Sequence, residues 1–275
     1  MSANFDELVR VLARLRSPDG CPWDREQTHD SIKPNLLEET YEVLEALDRN
    51  SPEQLREELG DLLLQVIFHC QLASDSGAFT VDDMLQHLTE KLVRRHPHVF
   101  EETKTPDAPR TAEDVLARWE FIKQAERKGP GKKTSVMDGV AASLPALLRA
   151  YQVQARAARV GFDWSKLDDV LNKLDEEWNE LKESWREAVR EPGPKSRERV
   201  EEEFGDVLFS LVNLARFMKV ESEEALRKTI NRFVKRFRYI EEQAERTGRN
   251  LNDLTLEEMD RWWEEAKHLD DSSKT

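Results

Sequence analysis

Apolar residues recur at helical spacing along almost the whole chain. Phe5, Leu8, Val9, Leu12 and Leu15 mark one face of a helix over residues 4–16, and Ser17-Pro18-Asp19-Gly20 ends it in a turn. The stretch Cys21-Pro22-Trp23-Asp24 reads as a loop. A second helix begins near Pro34 and carries Leu36, Leu37, Tyr41, Val43, Leu44 and Leu47. Ser51-Pro52-Glu53 combines an N-cap, a proline at the first helical position and an acid in the first turn, which predicts a third helix reaching Ser74. Further helices are predicted over 79–95, opened by Thr80, and over 113–127, with residues 96–110 between them as a loop.

Lys128-Gly129-Pro130-Gly131-Lys132-Lys133 then reads as a linker. Beyond it, helical periodicity returns from Leu144 through Arg159, and over 166–190, 196–218, 222–246 and 255–269. No period-two strand intervenes. The chain is therefore expected to be all-α, with two helical bundles at residues 1–127 and 137–275 joined by a linker at 128–136.

Two short acidic words occur twice, in the same order. Glu38-Glu39-Thr40-Tyr41-Glu42 precedes Glu58-Leu59-Gly60-Asp61, and Glu176-Glu177-Trp178-Asn179-Glu180 precedes Glu203-Phe204-Gly205-Asp206. Residues three or four apart share a helix face, so Glu39 with Glu42, Glu58 with Asp61, Glu177 with Glu180, and Glu203 with Asp206 form carboxylate pairs. Antiparallel packing of each pair of helices would bring four carboxylates together. In a chain with 56 acidic residues an acid pair is ordinarily a solvated face. Here, however, both second words run directly into apolar sequence, Leu62-Leu63-Leu64 and Val207-Leu208-Phe209, which turns the acids inward. Converging carboxylates require a cation, and hard, oxygen-seeking Mg²⁺ is the natural one, with Mn²⁺ as a substitute.

Composition narrows the remaining classes. The net charge of −14 opposes DNA or RNA binding over any broad surface, whereas a small anion accompanied by metal is compatible with it. No apolar stretch approaches membrane-spanning length and no signal peptide opens the chain, so a cytoplasmic protein is expected. Cys21 and Cys70 form no disulfide or metal pattern and are expected to be buried thiols. Gly60 and Gly205, at matching positions, either admit a neighbour close to the backbone or are simply tolerated.

The paired acidic words, together with Gly20-Cys21-Pro22-Trp23-Asp24, Arg94-Arg95-His96-Pro97-His98-Val99-Phe100 and Gly161-Phe162-Asp163-Trp164, resemble the MazG nucleoside triphosphate pyrophosphohydrolases over nearly the whole chain. The resemblance implies an all-α fold related to dimeric dUTPases, a homodimer, and Mg²⁺-dependent hydrolysis of a nucleoside triphosphate to monophosphate and pyrophosphate. It also implies a broad substrate range in keeping with nucleotide house-cleaning. Carried over by position, the metal ligands are Glu177, Glu180, Glu203 and Asp206, and in the first half Glu39, Glu42, Glu58 and Asp61. Glu176 and Glu38 are candidates to orient or deprotonate the attacking water; the alternative is a solvent-facing glutamate, since adjacency on a helix turns them about 100° away.

Lys173 and Arg199 lie four residues before Glu177 and Glu203, on the acid-bearing faces, whereas the first half has Asn35 and Gln54 at those places. Arg232 and Arg236 are matched by Lys91 and Arg95 as triphosphate contacts, with exposed salt-bridging helices as the alternative. Trp263 and Trp119 match one another as candidates to stack on a base or ribose. These differences predict that the second half carries the main catalytic site. A non-catalytic nucleotide-binding scaffold and a di-iron bundle are the competing readings; the latter lacks the Glu-x-x-His it would need.

Overall fold

The computed structural model describes residues 3–100, 111, 114, 115, 118, 122, 126 and 135–272. Most of the helix expected at 113–127, including Trp119, and most of the linker expected at 128–136 lie outside them. The chain divides into two compact units, Met1–Gly131 and Lys132–Thr275. Among the described residues every regular element is a helix.

In the first unit α1 (Ala3–Leu15) is followed by a short α2 (Pro22–Glu26) and then α3 (Lys33–Asp48), α4 (Pro52–Asp75), α5 (Val81–Arg95) and α6 (Pro97–Phe100). Two stretches expected as loop thus contain helix. In each, a proline occupies the first turn, where its missing N–H costs nothing, and the segment is too short for periodicity to reveal it. Local chemistry sets the longer boundaries. Ser51 Oγ accepts from Gln54 N at 3.3 Å to open α4. At the start of α5, Thr80 and Asp83 form a reciprocal capping box, with Thr80 N donating to Asp83 Oδ2 at 2.8 Å.

Helices α3 and α4 pack against each other, and their connection of a few residues makes them antiparallel. Leu12 of α1, Ile32, and Ile67, Phe68 and Leu72 of α4 form the core beneath them. Cys70 is buried as expected, but Cys21 is only half-buried.

The second unit repeats the plan with α7 (Ala146–Arg159), α8 (Leu167–Arg190), α9 (Pro194–Phe217), α10 (Ser222–Arg246) and α11 (Leu256–Ser272). The α8/α9 pair is its most extensive contact; α7 packs on α9 and α10, and α11 on α10. Gly161 ends the turn after α7 at φ +88°, a left-handed conformation that favours glycine. Its direction change aims Phe162-Asp163-Trp164 back toward α9. Among the described residues no helix is long and apolar enough to cross a membrane.

Candidate metal and nucleotide site

Helices α8 and α9 bring the second pair of acidic words together. Glu177, Glu180 and Glu203 each offer an oxygen within 4.8 Å of the others. Glu177 is buried, with 7% of its surface exposed, while Glu203 is half-buried and Glu180 reaches solvent. Desolvation, and then the negative charges of Glu177 and Glu203, push the Glu180 carboxyl above its ordinary range. Asp206 stands outside this trio but lines the adjoining cavity together with Glu177.

The first unit gathers a different three of its four expected ligands, Glu39, Glu58 and Asp61, again within 4.8 Å. Glu42 lies against Glu39 and Glu58. Burial first, then Asp61 and Glu42, raise Glu39; burial, then Glu42, raise Glu58. All these donors are carboxylate oxygens and their mutual repulsion is recorded in the raised carboxyls. That chemistry fits a hard divalent cation.

The cations expected near the acids divide into two groups. Lys173 Nζ stands 2.6 Å from Glu177 and 2.9 Å from Glu176, and these two hydrogen-bonded partners, Glu177 foremost, raise the ammonium pKa. Arg199 Nε is 3.7 Å from Glu203, while its Nη1 donates to Glu187 at 2.7 Å. Both therefore stand beside the carboxylates. Arg232 and Arg236 on α10 do not line the same cavity. Arg232 donates to Thr229 at 2.9 Å, and Arg236 donates to Asp270 of α11 at 2.9 Å with its guanidinium 5.7 Å from the Trp263 ring centroid. Phe233 packs on the same tryptophan at 5.1 Å. In the first unit Arg95 is paired to Glu126 at 2.6 Å, and Lys91 is half-buried on α5.

Glu176, a candidate for the attacking water, is more than half exposed and tied to Lys173; Glu38 is exposed on α3. Gly60 and Gly205 have no close neighbour among the described residues, since a Cβ at either would meet nothing within 4 Å. Close approach of a neighbouring helix among the described residues is therefore not what these glycines serve.

A cavity of about 530 Å³ opens beside the second acid group, and Lys173, Glu177 and Asp206 line it. So do Gln154, Trp164, Asn213 and Arg216. Arg216 Nη1 donates to Asp163 Oδ2 at 3.0 Å, with a second bond from Nη2 to Asp163 Oδ1, and Nη2 also donates to Asn213 Oδ1 at 2.8 Å. The acidic spacing gives no hint of these residues. The only available sequence signal was the Gly161-Phe162-Asp163-Trp164 stretch, whose Asp163 finds its partner fifty-three residues later.

An all-α chain with two such carboxylate groups, each on a packed helix pair, defines a duplicated metal-binding bundle. The model of the MazG nucleotide pyrophosphohydrolase domain matches residues 27–100 and again 166–240, and the chain belongs to this family. It is 47% identical over 269 residues to a Thermotoga maritima protein named nucleoside triphosphate pyrophosphohydrolase/pyrophosphatase MazG, covering 98% of this chain and 97% of that one. An Escherichia coli (strain K12) nucleoside triphosphate pyrophosphohydrolase is 43% identical over 264 residues, with 96% and 97% covered. The Bacillus subtilis protein YabN is 47% identical over 266 residues, but this chain spans only 52% of its length.

Proposed function

We propose that this chain is a Mg²⁺-dependent nucleoside triphosphate pyrophosphohydrolase whose second unit carries the main catalytic site. The observation that carries this reading is continuity: the buried Glu177 belongs both to the three-carboxylate group and to the 530 Å³ cavity. A triphosphate is thereby led from the carboxylates while its nucleoside occupies the cavity.

Glu177, Glu180, Glu203 and Asp206 would hold the cation, Mg²⁺ or in its place Mn²⁺. When bound, it supplies charge to the triphosphate oxygens and acidifies a water for attack at the α-phosphorus. Pyrophosphate leaves and the nucleoside monophosphate remains. Lys173 fixes the direction of Glu177 and Glu176 through its two contacts and places a positive charge at the cavity. Glu176, next to this ammonium, orients the water; Glu38 is its counterpart in the first unit. Arg199 offers a guanidinium beside Glu203. Arg232 and Arg236 complete triphosphate contact from α10, and Trp263 of α11 stacks on the base or ribose, when the chain pairs with a second copy.

A homodimer is supported by uncovered apolar stripes on the acid-bearing helices. Trp178, Trp185 and Val189 of α8 and Phe204, Leu208 and Leu211 of α9 are all exposed, at spacings that put each set on one face. In the first unit Glu39, Glu42, Glu58 and Asp61 bind the same cation, and Lys91, Arg95 and Trp119 are the matching contacts. That unit lacks counterparts of Lys173 and Arg199.

The test is an Mg²⁺-dependent assay against the eight common NTPs and dNTPs with the products resolved. Monophosphate plus pyrophosphate is the expected result. Binding without turnover of any of them would point instead to a nucleotide-binding scaffold.

A further inference from the structure

The cavity is walled largely by apolar side chains, among them Met137, Val153, Phe162 and Phe209, and the few polar groups that join them have directions set by their neighbours. Arg216 donates to Asn213 Oδ1, so the amide nitrogen of Asn213 is the end left to donate elsewhere. Gln154 is turned the opposite way. Its Nε2 donates to the Phe209 carbonyl at 2.8 Å, and its buried Oε1 finds no hydrogen-bond partner among the described residues. A donor and an acceptor thus line one cavity, each with its polarity imposed by a fixed contact. A buried acceptor without a donor is unfavourable, and a ligand N–H would relieve it.

Spacing tells what such a ligand is. Asp206, Ser210 and Asn213 follow one face of α9, and Asn213 lies about 10 Å beyond Asp206 at 1.5 Å rise per residue. That is the span from an α-phosphate to the far edge of a base. Trp164, half exposed at the cavity wall, supplies an aromatic face, and Asp163 beside it is held in place by Arg216.

The first unit provides an internal comparison. The residue seven positions after its aspartate is Phe68, not asparagine, and Phe68 is only 5% exposed within the core formed by Leu12, Ile32, Ile67 and Leu72. Helices of the same plan therefore carry a polar reader at this position in one copy and core packing in the other.

We infer that Asn213, oriented by Arg216 and seconded by Gln154, is the base-reading residue of the second unit, and that the first unit, with Phe68 in its place, has no counterpart of this residue. The assignment rests on the proposed function for the position of the α-phosphate. A donor beside an acceptor complements the Watson–Crick edge of each common base, so the pocket secures a nucleobase as such and not one particular base.

The test compares binding of nucleoside monophosphates with binding of inorganic tripolyphosphate, by calorimetry in Mg²⁺, for wild type, Asn213→Asp and Asn213→Leu. The aspartate preserves shape and the Arg216 contact while removing the donor. Both variants are expected to weaken monophosphate binding about tenfold or more and to leave tripolyphosphate binding unchanged. Unchanged monophosphate affinity, or equal losses for both ligands, would overturn the assignment. Wild-type protein that binds monophosphates in the expected way but hydrolyses no triphosphate would overturn the reaction and leave the pocket standing.

Discussion

Arg236 and Asp270 face each other across α10 and α11 at 2.9 Å, and Lys235 holds the second oxygen of the same carboxylate at 2.6 Å. The first unit has the same arrangement, with consecutive Arg94 and Arg95 closing on Glu126 at 2.8 and 2.6 Å. Hydrogen bonding to the cations holds both acids down, led by Lys235 for Asp270 and by Arg95 for Glu126, which is lowered to about 2. Of the cations proposed for the triphosphate, Arg236 and Arg95 are thus each paired with a carboxylate of their own unit.

Asp270→Asn should therefore destabilise the second unit, because Arg236 and Asp270 are largely enclosed and the guanidinium would lose its charge partner. A loss of about 1–3 kcal/mol is expected, below the full cost of breaking a buried pair because Lys235 is solvated. Urea unfolding measures it. No change in midpoint would mean that the pair is structurally idle.

Glu203→Gln should reduce kcat by about 10²-fold or more, in line with the loss of one carboxylate from an electrostatic site. Glu58→Gln should leave most turnover in place. Steady-state rates with one common nucleotide decide between them, and equal losses would refute the assignment of catalysis to the second unit.

Lys173→Met separates two roles. Removing an ammonium 2.6 Å from Glu177 should tighten Mg²⁺ binding, since the carboxylates lose a competing cation. The same change should lower kcat/KM by about 10²-fold through the lost positive charge at the cavity. A parallel fall in metal affinity and kcat/KM would show that the lysine only supports the fold.

Stability should respond to pH in two separate windows. Glu39, Glu58 and Glu180 have raised carboxyl pKa values in the folded chain. Without divalent cation, the folded state then binds more protons than the unfolded one, and these groups erode stability as pH rises from the ordinary carboxylate value of 4.5 through the raised values. Glu126, Glu224 and Glu258, lowered to about 2 by Arg95, Arg227 and Arg249 respectively, act in reverse: their contribution is present above 4.5 and is lost as pH falls toward 2. Melting curves from pH 3 to 8, with Mg²⁺ and with chelator, test both. Mg²⁺ should raise Tm most at the alkaline end; a pH-independent increment would contradict the clustered carboxylates.

Features encoded within a few residues were readable from the chain. The Ser51 cap, the helix start at Thr80 and the three- and four-residue spacing of the acids all depend on local contacts; the cap and the start lie where the pattern puts them, and three of the four acids in each unit come together. The short α2 was missed because Pro22 looks the same opening a helix as occupying a loop. Asn213, Gln154 and Arg216 were missed for another reason. Their polarity is set by partners such as Phe209 and Asp163, and the longer pairings come from packing α7 and the Gly161 turn against α9. No local spacing announces them.

Open space around Gly60 and Gly205 leaves thermodynamic slack in the very helices that present the acids. Each is a mid-helix glycine whose added Cβ would meet nothing in this chain, and alanine at both should raise stability by about 1–2 kcal/mol in total. The chain thus keeps an unused reserve of rigidity one residue away from Asp61 and Asp206, and drawing on it would show how much give the carboxylates need during turnover.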